Sequence, residues 1–295
     1  MLAVRHLSKM LLTGCFTALL CVGLVSSRIP TLLEQVQADG RLIVLSMNGP
    51  TTYYESSEGY TGFEYLLAKR FAKHLGVKLE IRSVHDLSTM LQQIKQGEGH
   101  LAAAGLTITD TRKRKVLFAE PYLEVTQQLL YRAGTKRPKQ IADLLGKKLV
   151  VIGDSAHAEQ LRQLKLEHPK LEWEERYELE MLDLIEMVHS GKIDYAVVDS
   201  NAYNINNSLY PKAKVAFNIS EPQALAWAFT KTPDHSLLKQ ANAFFASPKH
   251  ANYIADITDH VYGHIGDVDY SGSLLFARRM ETRLPKWEEK LRQAA

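Results

Sequence analysis

The stretch Ala104-Gly105-Leu106-Thr107-Ile108-Thr109-Asp110-Thr111-Arg112 gathers the groups that hold an anion. An apolar strand run ends at Gly105, which has no Cβ, so backbone can approach a ligand closely there. Hydroxyls follow at Thr107 and Thr109, and Arg112 falls in the first turn of a helix. Backbone N–H groups, a hydroxyl and a guanidinium fork together suit a carboxylate. The plainer reading is a helix capped by Thr109, with Arg112 solvated beside Lys113, Arg114 and Lys115, and residue types alone leave the two level. With no interleaved aromatics, Arg112–Lys115 does not read as a nucleic-acid patch.

Groups of complementary chemistry stand elsewhere. Asp199 ends the apolar run Ile193–Asp199, and open α/β sheets bind ligands beyond strand carboxyl ends. There it would receive an ammonium or, equally, cap a helix before Asn201. Ser155 and His157 follow the run KKLVVIG at 147–153 and would present donors from a helix N-terminus, although a lone histidine is more often a surface residue. Tyr53 and Tyr54 follow the first strand run and would form an aromatic wall or simply pack.

Signatures of chemistry are missing. Both cysteines, Cys15 and Cys21, lie in the N-terminal segment, so the remainder has no thiol nucleophile. The sequence contains no G-x-S-x-G, no phosphate-cradling glycine loop and no H-E-x-x-H. His260 and His264 are four apart, but Gly263 between them ends a helix and breaks the metal spacing. Glu55 sits in a loop too wet to hold the raised pKa of a glycosidic acid. No cofactor and no metal are implied, and the chain reads as a binding protein rather than an enzyme.

The elements that must position these groups alternate in a regular way. Arg41–Met47 is a buried-strand run. Residues 62–75 place Phe63, Leu66, Leu67, Phe71 and Leu75 on one helical face, stopped by Gly76. Lys78–Val84 alternates as a strand, Leu87–Gln96 is a helix closed by Gly97, and His100–Leu106 and Gln127–Tyr131 are further strands. A second unit repeats the order, with strands at Lys147–Gly153, Trp173–Tyr177 and Ile193–Asp199 and helices at His157–His168 and Met181–Ser190. The phrase of amphipathic helix, glycine and buried strand at 91–104 recurs at 185–198. Strand–helix alternation predicts an α/β protein with parallel sheets and helices on their faces. A strand at Ala224–Thr230 and helices around Leu237–Ala246 and Tyr253–His260 would return to the first unit, and two crossings make a hinge. The expected organisation is a first lobe of 28–131 and 222–268, a second lobe of 132–221, and a charged helical segment at 269–295.

At 295 residues, 45% hydrophobic and 23% charged, the chain can bury one or two substantial cores. Arg5 and Lys9 are two of 36 basic side chains against 33 acidic ones, so the remainder is nearly balanced. Such balance gives no general pull toward nucleic acid or anionic lipid. Arg5 and Lys9 precede the apolar run Met10–Val25, followed by Ser26 and Ser27, in the pattern of an export signal. Residues 1–27 therefore read as a signal peptide or a membrane anchor. Leu12-Thr13-Gly14-Cys15 looks like a lipoprotein acylation box, but the apolar stretch follows the cysteine instead of preceding it.

Several phrases carry a family resemblance. G-L-T-I-T-x-x-R at 105–112, F-A-E-P-Y at 118–122 and D-Y-A-V-V-D-S at 194–200 resemble the family 3 solute-binding proteins of the periplasm. The fit is closer still to the N-terminal half of the membrane-bound lytic murein transglycosylase F family, through Pro50–Tyr54, Gly62–Tyr65, Pro121–Gln128, Gln223–Trp227 and Glu281–Pro285. The resemblance spans about residues 30 to 295. It implies a two-lobed periplasmic-binding-protein type II fold with a C-terminal helical extension, exported to the periplasm, with attachment to the outer membrane left open. It further implies a small ligand, an amino acid or a muropeptide, with Arg112 and Thr107 on its carboxylate, Asp199 on its amine and Tyr53 and Tyr54 along its body. Gly105 stands where many amino-acid binders have a serine. In the resembled family a lysozyme-like domain supplies the glutamate that cleaves murein. The expectation is a binding module that lacks that domain and is not by itself an enzyme, for which a murein hydrolase would be one candidate partner. The alternatives are part of a murein transglycosylase whose catalytic domain is missing from this chain, or a transporter-linked amino-acid-binding receptor.

Overall fold

The computed structural model describes residues 28–56 and 59–263. The export segment 1–27, its acylation-like box and the helical segment 269–295 lie outside the described residues. Among the described residues no helix is long and apolar enough to cross a membrane.

The first lobe opens with helix α1 (Leu32–Asp39), started by a reciprocal capping box between Thr31 and Glu34 and stopped by Gly40. Strand β1 (Arg41–Ser46) is buried from Leu42 onward and lies between two parallel neighbours, β4 (Lys78–Ser83) and β5 (Leu101–Ala102). A short hairpin, β2 (Tyr54–Ser56) and β3 (Gly59–Thr61), precedes helix α2 (Phe63–Leu75). Gly62 is needed before that helix: its φ is 112°, and a Cβ there would meet the Thr52 carbonyl oxygen at 2.5 Å. Helix α3 (Leu87–Gln96) starts on the Asp86 side chain and ends at Gly97. The four-residue helix α4 (Asp110–Lys113), β6 (Val116–Phe118) and β7 (Leu123–Val125) complete the first passage.

The second lobe holds β8 (Gln127–Arg132), β9 (Leu149–Ile152), α5 (Ala156–Glu167), β10 (Glu174–Arg176), α6 (Met181–Ser190), β11 (Tyr195–Asp199), α7 (Ser200–Asn206) and β12 (Ala213–Asn218). The chain then returns through β13 (Gln223–Leu225) and β14 (Ala228–Thr230) to helices α8 (Ser236–Ala246) and α9 (Pro248–Thr258) in the first lobe.

The two five-stranded sheets share one topology. Their orders are β4-β1-β5-β14-β6 and β10-β9-β11-β8-β12. In each, four strands run in one direction, while the fourth in the order, which enters by a crossing between lobes, runs antiparallel to both neighbours. The expected parallel sheets therefore each carry one exception: βαβ units build three adjacent parallel strands, and the strand arriving from the other lobe pairs antiparallel. The lobe boundary also shifts. Gln127–Tyr131 was expected at the end of the first lobe, but β8 pairs with β11 and β12, which places the crossing at Thr126. Likewise 224–230 is not one strand. Its first part, β13, pairs with β7 between the lobes, and its second part, β14, joins the first sheet. The break falls at Ala226 and Trp227, both fully buried. The β7–β13 ribbon is the hinge.

The cores differ in kind. In the first lobe Trp227, Phe71, Phe244 and Phe245 pack with ring centroids 4.9–6.4 Å apart. Both faces of the second sheet are covered mainly by aliphatic residues, Leu184, Ile185 and Val188 on one and Leu144, Leu161 and Val197 on the other. Each such side chain contributes about 1.5–3 kcal/mol on burial.

Candidate functional site

Between the lobes, the loops at the carboxyl ends of β1, β5, β9 and β11 enclose a cavity of about 130 Å³. One wall comes from the first lobe, with Gly49–Thr52, Gly105, Thr107 and Arg112; the facing wall brings Ser155, His157, Met181 and Asp199. Six of the eight residues singled out in the sequence therefore meet. Tyr53 and Tyr54 do not line this cavity. Tyr53 bridges to Asn48 and packs on the Tyr60 ring, Tyr54 belongs to the β2–β3 hairpin, and the preceding turn, Gly49–Thr52, occupies the wall instead.

Arg112 is 3% exposed. Its Nη1 donates to the Thr107 carbonyl at 3.0 Å, and its Nη2 reaches the Asp154 carbonyl of the other lobe at 3.4 Å. Its Nε is buried with no partner, and among the described residues no carboxylate lies within ion-pair distance of it. Burial pulls its pKa below the ordinary guanidinium value, opposed by the charges of Glu159, Asp199 and Asp154. Thr109 caps α4 by accepting from the Arg112 N–H at 3.2 Å, so capping and a buried guanidinium coexist. The Thr109 hydroxyl also meets Glu159 of the second lobe at 3.3 Å. Asp154 adopts φ 53°, a left-handed conformation that Asp tolerates better than most residues.

Asp199 precedes α7, yet its carboxylate makes no cap bond there. It lies 2.9 Å from Nε2 of His157, and both residues are buried. Nδ1 of His157 is buried without a partner. Ser155 is spent on architecture, since its hydroxyl donates to the Ile152 carbonyl and accepts from Ala158 N–H as the cap of α5.

Glu64 is the residue the sequence reading missed. It is 1% exposed and accepts from Gly105 N–H at 2.7 Å, from Trp227 Nε1 at 2.8 Å and from the Tyr122 hydroxyl. Tyr122 immediately precedes one hinge strand and Trp227 closely follows the other. One carboxylate thus ties the ligand-facing loop to both hinge strands. The N–H expected to approach a ligand at Gly105 is engaged by Glu64. Burial outweighs the three donors and pushes the Glu64 pKa above 4.5. A signal existed: Glu64 shares a helical face with Leu67, Phe71 and Leu75, where a charged residue is out of place.

No cluster of His, Cys, Asp or Glu among the described residues could hold a metal ion. The arrangement presents a buried cation on one lobe and a buried carboxylate–imidazole pair on the other, around a space of small-molecule size.

Known proteins share this architecture. An ancestral amino acid-binding protein described as a precursor of cyclohexadienyl dehydratase superposes with a TM-score of 0.67 at 26% identity, covering 78% of this chain and 99% of its own. A mutant of ArgBP from T. maritima gives 0.69 at 22% identity, over 78% and 99%, and shows the same fold. Proteins named membrane-bound lytic murein transglycosylase F are 57% identical in Saccharophagus degradans, over 99% of this chain and 58% of the relative, and 43% identical in Cellvibrio japonicus, over 92% and 55%. The chain spans a little over half the length of these curated relatives. Residues 41–264 match the model of the bacterial extracellular solute-binding proteins, family 3. With that match over most of its length, the chain belongs to the bacterial extracellular solute-binding proteins, family 3.

Proposed function

We propose that the chain is a periplasmic binding module of the lytic-transglycosylase-F type, closing its two lobes on an amino acid or a murein-derived peptide. The observation that carries this reading is Arg112, a buried guanidinium on the cavity wall with a free Nε and no carboxylate counter-ion among the described residues. Burying an ion costs several kcal/mol unless a partner compensates. A ligand carboxylate supplies that partner, and its bidentate geometry suits the fork. Across the cavity, Asp199 with His157 takes the ligand's amine. An engineered cavity of about 150 Å³ holds benzene, so the space here suits roughly six non-hydrogen atoms. That is the size of a small amino acid or of one end of a peptide. Met47, Leu87, Ile152 and Leu182 make the remaining wall apolar, which favours a short aliphatic side chain. Structural neighbours described as arginine-bound support the amino-acid class, and the relatives named murein transglycosylases favour a murein source.

Binding across the two walls stabilises the closed arrangement in proportion to its preference for that arrangement. Calorimetry with free amino acids and purified muropeptides tests the reading. The expected result is binding of a ligand bearing both carboxylate and amine, lost in Arg112→Ala; unchanged affinity in that variant would sink the site. A turbidity assay on purified sacculi is expected to show no cleavage by this chain alone.

A further inference from the structure

The two sheets share a topology, but their edges remote from the cleft differ in charge. In the second sheet the cleft lies beyond the carboxyl ends of β9 and β11, where Ser155 and Asp199 stand. Tyr195 sits opposite Tyr131 and Ala213 opposite Arg132, so the starts of β9, β11 and β12 share the far edge with the end of β8. At about 3.3 Å per residue, that edge is roughly 13 Å from Asp199.

Basic residues dominate the turns into β9, β11 and β12 along this edge. The loop after β8 brings Lys136, Arg137 and Lys139, the turn into β9 brings Lys147 and Lys148, and the turns into β11 and β12 bring Lys192 and Lys212; all are exposed. Arg132 joins Lys136, Arg137 and Lys147 around a hollow of about 560 Å³. Two carboxylates are also present, but Asp143 and Asp194 accept from the backbone N–H groups of Lys139 and Lys148, each at 2.8 Å. None of these basic side chains forms an ion pair among the described residues. Leu145, 39% exposed, projects from the turn between the loop and β9. At the β10 end the signs are balanced, as Lys170 and Glu172. The corresponding edge of the first sheet mixes signs from β4 to β5, with Asp39, Arg41, Lys78 and Glu98, and Glu80 is paired with Arg41 and Arg82; only its β6–β14 end, with Lys113, Arg114, Lys115 and Lys231, is basic.

We propose that this edge of the second lobe docks on a bilayer surface carrying anionic headgroups. Each lysine or arginine brought to such a surface strengthens partitioning about fivefold, and eight stand here against two carboxylates, Asp143 and Asp194, neither of them in an ion pair with them. The exposed Leu145 favours a bilayer over a soluble anionic polymer, because an apolar side chain gains by seating at the acyl boundary. Docking by this edge leaves the cleft, at the other end of the strands, open to ligand.

Sedimentation of the full chain with phosphatidylglycerol-containing vesicles tests the proposal, against vesicles of phosphatidylcholine alone and against purified sacculi. The expected result is binding to the anionic vesicles only, abolished near 1 M salt, where screening shortens to about 3 Å. The variant Lys136→Glu/Lys147→Glu/Lys148→Glu/Lys192→Glu is expected to bind at least about a hundredfold more weakly. Its circular dichroism should match the parent's, and Lys78→Glu on the first sheet should bind as the parent does. Equal binding by the fourfold variant, or salt-resistant binding to phosphatidylcholine, would overturn the proposal and point to the apolar N-terminal segment. Lysine-dependent binding to sacculi without binding to vesicles would overturn the lipid assignment.

Discussion

The two lobes are built on one strand order and used in opposite ways. The first surrounds a single buried carboxylate, Glu64, with aromatic rings and offers the cleft a cation, Arg112. The second packs aliphatic residues on both faces of its sheet and offers the cleft an acid, Asp199, steadied by His157. Topology therefore specifies where a ligand can sit, beyond the carboxyl ends of the parallel strands, but not which charge waits there. The same contrast holds along part of the remote edges, mixed from β4 to β5 in the first lobe and mainly cationic around β8, β9, β11 and β12 in the second.

Four experiments would break or sharpen this contrast. The largest effect is expected for Trp227→Ala, which empties the centre of the aromatic core. It should cost about 3–5 kcal/mol, and calorimetric unfolding should show the loss in the first lobe's transition; an equal shift in both lobes would mean that they do not unfold separately. Arg112→Ala should cost about 2–5 kcal/mol in affinity for a carboxylate ligand while leaving both unfolding transitions in place, as calorimetry would show.

Glu64→Gln sits between stability and site. The amide can accept at one position only, so its NH2 faces a donor and the substitution should cost about 1–3 kcal/mol. The pH dependence should change as well. Because burial raises the Glu64 pKa, the folded chain holds this proton more tightly than the unfolded chain. Stability from this group is thus greatest below 4.5 and declines as pH rises through the folded value. Urea titrations across mildly acidic pH should show that decline in the parent and a flatter profile in the variant. The smallest effect concerns the acid of the second lobe. A cycle of Asp199→Asn and His157→Gln should give a coupling of about 0.5–3 kcal/mol in ligand affinity, and strict additivity would show that the 2.9 Å contact does not serve binding.

Much of the architecture was legible because its causes are local. The helices Leu87–Gln96 and Met181–Ser190 have the bounds that their apolar period and glycine stops indicate, with Gly97 and Gly191 in left-handed conformations. The segment 224–230 misled for an equally local reason: its apolar residues run on without a turn residue, although β13 and β14 belong to different sheets. Tyr53 and Tyr54 misled because an aromatic side chain packs and binds equally well, and residue type cannot say which.

What the sequence determined by itself was the succession of strands and helices, the two-unit repeat and the short set of residues able to hold a carboxylate and an amine. All of these depend on neighbours within a few turns of chain. Tertiary structure alone decided which of those residues share a cavity. It joined His157 to Asp199 across 42 residues and Glu64 to Trp227 across 163, and left Arg112 buried without a counter-ion among the described residues. It also decided where charge accumulates. A chain with nearly balanced charge outside its N-terminal segment carries a cationic edge because four separate turns converge at one end of a sheet, and electrostatics acts through space, not along the sequence.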